Sequence, residues 1–155
     1  MKVGMIGLGR IGEGMSRRMM REDIEVWGYG NDYEKACEQY DAGYLSGCVT
    51  SLEYLVRAVK SDGKKYTSAG KVPGIFQLAI PDEKVDDTLD KLLPLLEEGD
   101  VIIDYGSNDI EKCRELEKYC SKIGIAYIFS GVYGATYALS TCAKIFQSLS
   151  PSNVI

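Results

Sequence analysis

The stretch MKVGMIGLGRIGEG, Met1 to Gly14, decides the fold. Its apolar run from Val3 to Ile6 predicts a buried β-strand, and a helical pattern begins at Ile11. Between them Gly7-Leu8-Gly9-Arg10-Ile11-Gly12 spells G-x-G-x-x-G, in the strand-to-helix context that a dinucleotide fingerprint requires. Gly7 permits a tight turn, Gly9 lets a pyrophosphate approach the backbone, and Gly12 lets the helix pack on the strand. The helix N-terminus then offers unpaired N–H groups and the positive end of its dipole to an anion. Gly7, Leu8, Gly9, Arg10, Ile11 and Gly12 are the residues expected to hold a dinucleotide.

Outward from this stretch, Ile24 to Tyr29 predicts a second strand and closes a βαβ unit. An acid at the end of such a strand holds the 2′-hydroxyl of NAD, whereas a small residue followed by Arg accommodates the 2′-phosphate of NADP. Here the strand ends in Gly30-Asn31-Asp32, so the acid comes late and the Arg is missing. The strand end therefore selects neither cofactor. Asn31 is expected to N-cap the next helix, with Glu34 completing a capping box. Asn31 and Asp32 both stand as ribose contacts.

The same alternation continues. Helices are predicted over Tyr33–Tyr40, from about Ser51 to Lys60 behind a Thr50-to-Glu53 capping box, over Val85–Leu96, and over Ile110–Ile123. Pro94 should bend or shorten the third of these. Gly43 and Gly47 break the pattern after the first, and Ser61 to Pro73 reads as a polar surface loop. Strands are predicted at Gly74–Ile80, Val101–Asp104 and Ile125–Phe129, with a final helix over Ala138–Leu149. Strands alternating with helices imply an α/β fold, a doubly wound parallel sheet covered on both faces.

Composition narrows the function. The 155 residues suit one domain, and the net charge of −5 without a basic run argues against a nucleic-acid partner. Five cysteines without a C-x-x-C, and no histidine at all, leave no ordinary metal-ligand set. Free thiols in a reducing cytosol are the simplest reading, so a cytoplasmic location is expected. No leader and no membrane span are expected either. Without histidine, proton transfer near neutral pH falls to Lys, Cys, Tyr or a shifted carboxylate.

Three stretches carry a resemblance. Val3 to Gly12 resembles the opening of 6-phosphogluconate dehydrogenases and related β-hydroxyacid dehydrogenases. Leu78-Ala79-Ile80-Pro81 is similar to the family's strand-end L-M-V-P segment beside the nicotinamide. Leu92 to Asp104, LLPLLEEGDVIID, is similar to its L-x-P-L-L-x-x-G-D-I-I-I-D. The likeness runs from about Met1 to Tyr133. It implies a Rossmann domain over residues 1–133, a helical tail over 134–155, and NAD or NADP as cofactor. It places the nicotinamide near Ala79, Ile80, Pro81 and Asn108, and a sugar-phosphate substrate near Asn108, Ser130 and Gly131.

The departures from that family are specific. Asp104-Tyr-Gly-Ser-Asn108 stands where the family has D-G-G-N-S, so the Asn comes one place late. Ser130-Gly131-Val132-Tyr133 lacks one glycine of the family's substrate loop. Nothing matches the family's helical C-terminal domain, which carries its lysine base and glutamate acid and forms the dimer. No catalytic residue is therefore assigned, and Lys122 and Lys144 qualify by residue type alone. The family oxidises and decarboxylates 6-phosphogluconate to ribulose 5-phosphate in the pentose phosphate pathway. Two expectations follow for this chain. One is the cofactor half of such an oxidoreductase, inactive alone, whose final helix pairs with a second copy or a partner chain. The other is a non-catalytic NAD(P)-binding regulatory or interaction module.

Overall fold

The computed structural model describes residues 1–61, 66–67, 70–107 and 109–130. Strand β1 (Lys2–Ile6) leads into helix α1 (Arg10–Arg21), then β2 (Glu25–Tyr29), α2 (Tyr33–Asp41), β3 (Gly47–Val49) and α3 (Leu52–Val59). A two-stranded antiparallel ladder, β4 (Tyr66–Thr67) with β5 (Gly70–Lys71), follows within the predicted loop. The chain continues with β6 (Ile75–Leu78), α4 (Val85–Leu92), β7 (Val101–Asp104), α5 (Ile110–Lys122) and β8 (Ala126–Phe129).

The six long-range strands form one sheet in the order β3-β2-β1-β6-β7-β8, and every adjacent pair is parallel. The chain winds outward from β1 to β3, crosses back to β6, and winds outward again to β8. It is the doubly wound sheet that the alternation predicts, and its direction reverses between β1 and β6. Side chains alternate between the faces. Val3, Met5, Ile75 and Ile103 pack with Met15 and Met19 of α1 on one side. Ile6, Phe76, Leu78 and Ile102 pack with Leu55 of α3 and with Leu89 and Leu92 of α4 on the other.

Several boundaries differ from expectation. Strand β3 was not predicted: Gly47 opens it, it has three residues, and it pairs only with β2. Asp32, not Asn31, caps α2, its carboxylate accepting from the Lys35 N–H at 3.1 Å. Ser51, not Thr50, caps α3 by accepting from the Tyr54 N–H at 3.3 Å. The Ser51 hydroxyl also holds the Glu53 carboxyl below its ordinary value. Pro94 acts as expected: α4 stops at Leu92 and a single 3-10 turn, Leu93–Leu95, carries the proline. The predicted final helix and the 134–155 tail lie outside the described residues. Among those described, no helix is long and apolar enough to cross a membrane, and no group of residues is arranged to hold a metal.

Two buried carboxylates knit the sheet. At its lower rim Asp100, fully buried, accepts from the N–H groups of Gly74 and Glu97, each at 2.8 Å, and pairs with Lys60 at 2.6 Å. At the upper rim Asp104 accepts from the Tyr127 hydroxyl of β8 and from the Gly106 N–H.

Each carboxylate yields a test. Asp100→Ala strands the buried Gly74 N–H and the partly buried Glu97 N–H and should lower stability by about 3 kcal/mol, read from urea unfolding midpoints. Burial, then the hydrogen bond to Asp104, drives the Tyr127 phenol far above its ordinary value. A raised acid in the folded state is stabilising while neutral, and that contribution is lost as the unfolded phenol begins to ionise near pH 10. The melting temperature should therefore fall as the pH rises above about 10, and fall less steeply in Tyr127→Phe.

Candidate functional site

The parallel register lines up the strand ends. Val49, Tyr29, Ile6, Leu78, Asp104 and Phe129 stand side by side across the upper rim. The segments that follow these residues carry the predicted site residues that the structure describes. In a doubly wound sheet the ligand crevice opens above the reversal point, here between the ends of β1 and β6.

The glycine turn is built by contact rather than by preference. Gly7 has φ +94°, a conformation open to glycine, and its N–H donates to the Tyr29 carbonyl at 2.9 Å. A Cβ on Gly7 would lie 2.4 Å from the Ala79 carbonyl oxygen. A Cβ on Gly12 would lie 1.9 Å from the Gly7 carbonyl oxygen, so α1 can start this close to the turn only with glycine there. Gly9 is different. It is the N-cap of α1 with no side-chain capping bond, its φ of −73° suits any residue, and a Cβ there would meet nothing within 4 Å. The fold does not need glycine at this position; a ligand lying on the backbone does. The open cradle and the uncapped N-terminus of a twelve-residue helix fit a pyrophosphate.

The predicted residues fall into three groups. Gly7, Ala79 and Ile80 touch across the reversal point, with Pro81 exposed beside them. Leu8 turns its side chain into the core, 5% exposed, so only its backbone is available, whereas Arg10 is exposed and Ile11 half-buried. Asn31 and Asp32 are exposed at the end of β2, next to the loop through the Gly7–Tyr29 bond. The Asp32 carboxylate is engaged as a helix cap, which leaves Asn31 as the uncommitted side chain of the two. Ser130 directly follows β8, two strands from β6, its N–H held by the Asp104 carbonyl at 2.8 Å. Asn108 and Gly131 lie outside the described residues.

Two further contacts shape the rim and were not visible in the sequence. Gln39 of α2 is 4% exposed and donates to the Leu8 carbonyl at 2.9 Å, and more weakly to Glu13 at 3.4 Å. It latches α2 to the glycine turn. Asp82, just past Pro81, accepts from the N–H and the hydroxyl of Ser107, each at 3.0 Å. That pair ties the end of β6 to the turn after β7. A glutamine on a short helix and an acid beside proline carry no signal of such partners.

Comparison with known proteins agrees with this geometry. The family described as the NAD binding domain of 6-phosphogluconate dehydrogenase matches residues 2–148. The decarboxylating 6-phosphogluconate dehydrogenase of Bacillus licheniformis is 30% identical over 134 residues, covering 85% of this chain and 27% of its own length. The NAD(+)-dependent, decarboxylating enzyme of Bacillus subtilis (strain 168) is 29% identical over 145 residues, covering 92% of this chain and 29% of its own. The chain thus spans less than a third of the length of these two relatives. Mycobacterium tuberculosis 3-hydroxyisobutyrate dehydrogenase superposes with a TM-score of 0.72 at 15% identity over 96% of this chain and 50% of its own, which marks a shared fold. With the glycine turn and the strand ends in place, and the family match running through nearly all of it, the chain belongs to the NAD-binding-domain family of 6-phosphogluconate dehydrogenase.

Proposed function

We propose that this chain binds a nicotinamide dinucleotide across the upper rim and serves as the cofactor half of a 6-phosphogluconate-dehydrogenase-like oxidoreductase. The open backbone at Gly9 is the observation that carries the reading, because nothing in the protein's own packing calls for a missing side chain there. The backbone from Gly9 to Gly12, at the start of α1, would hold the pyrophosphate. Asn31 and the Asp32 cap would meet the adenosine ribose. Ala79, Ile80, Pro81 and the turn reaching Asn108 would flank the nicotinamide, with Ser130 and Gly131 toward the substrate. When bound, the nicotinamide supplies the hydride acceptor.

The acidic, uncrowned end of β2 supports NAD over NADP: a 2′-phosphate there would face the exposed Asp32 carboxylate, and no arginine follows the strand. Oxidation and decarboxylation of 6-phosphogluconate would need proton-transfer groups from elsewhere, so turnover by this chain alone is not expected. A second reading, a non-catalytic module that binds the nucleotide, draws on one contact. The Ser107 hydroxyl, in the turn where the family contacts substrate, is already committed to Asp82.

Titration with NADH and NADPH, followed by quenching of Trp27, tests the reading. Saturable binding is expected, with NADH at least about tenfold tighter, or roughly 1.4 kcal/mol. Gly9→Asp should abolish it while leaving the melting temperature unchanged or higher, because Asp is a favourable N-cap. Gly12→Ala should instead destabilise the fold by about 3 kcal/mol through the clash with Gly7. Asn31→Arg should shift the preference toward NADPH. No binding of either nucleotide by the folded protein would overturn the proposal.

A further inference from the structure

We propose that Cys37 and Cys48 form a redox-active dithiol, an intramolecular modification site that a peroxide closes to a disulfide and an added thiol reopens. Cys37 lies on α2 and Cys48 in the centre of β3, and the fold brings their sulfurs to 3.4 Å. Both are thiols, and both are half-buried. A disulfide needs a further approach of about 1.4 Å, within reach of side-chain rotation and a small shift of α2. Cys113 and Cys120, by contrast, are buried on α5.

Access favours the pair. A cleft of about 420 Å³, lined by Trp27, Tyr33, Cys48, Val49, Tyr54 and Arg57 among others, opens one side of it to small solutes. The Tyr33 phenol stands beside the two sulfurs, which push it up to about 12. Burial first, and then the neighbouring Cys37, raises the Cys48 thiol above its ordinary value, and the Tyr33 phenol offsets part of that rise. In the first step one thiolate attacks a peroxide oxygen. The O–O bond breaks, and a sulfenic acid and hydroxide result. The second thiol then attacks the sulfenic sulfur; the S–S bond forms, the S–O bond breaks, and water leaves. Two thiols are oxidised while one peroxide is reduced to two waters. The bridge would pin α2 to β3 a single helical turn beyond Asn31 and Asp32.

The test uses the full chain, reduced, freed of reductant and treated with a slight excess of hydrogen peroxide. Cleavage after Lys35 and Arg57 leaves both cysteines in one peptide. That peptide should become lighter by two hydrogens and regain them with dithiothreitol. Thiols titrated in denaturant should fall from five to three, with the protein still monomeric in mass. Cys37→Ser and Cys48→Ser, each checked for an unchanged melting profile, should abolish the loss. The proposal is overturned if that peptide keeps both thiols, if it gains oxygen instead of losing hydrogen, or if the bridge links two chains. None of these readouts depends on nucleotide binding.

Discussion

The distance between Gly12 and the Gly7 carbonyl governs the upper half of the molecule. With no Cβ in the way, α1 begins directly over the end of β1. From that start its buried stripe, Met15 and Met19, falls onto Val3, Met5 and Val26. The same close approach aims the helix N-terminus into the crevice where the sheet reverses. One steric allowance thus sets both the packing of a core face and the direction in which free backbone donors point.

The remaining rim is arranged around that turn by polar latches. Gln39 fastens α2 to Leu8, the Gly7 N–H fastens the turn to β2, and Asp82 fastens β6 to the loop after β7. These contacts join segments far apart in sequence at the ends of parallel strands. A parallel sheet leaves its strand ends unpaired at the rim, so loops there need bonds of their own to hold shape. Two of these latches are side-chain hydrogen bonds and the third runs from backbone to backbone, so they fix the loops with little bulk.

Much of this could be read from the residues alone. The glycine fingerprint lay between a clear strand and a clear helix, and the apolar runs at Ile75–Leu78 and Val101–Asp104 were long enough to stand out. What escaped reading depended on tertiary partners. Strand β3 is three residues led by a glycine, and only its ladder with β2 makes it a strand. Asn31 and Asp32 are equally good caps, and the path of the chain out of β2 chose between them. Asp100 carries no signal of its role in the sequence because its partners Gly74 and Lys60 are far off along the chain. Gln39 read as a polar helix residue although it is buried against the glycine turn.

The position of Asp100 has a consequence for how such a domain can change over evolutionary time. The carboxylate that ties β6, β7 and α3 together sits at the lower rim, as far from the crevice as the sheet allows. Loops at the opposite rim can lengthen, lose a glycine or exchange an asparagine for a serine while this knot keeps the strands in register. A lineage could therefore retire or replace its chemistry and keep its architecture.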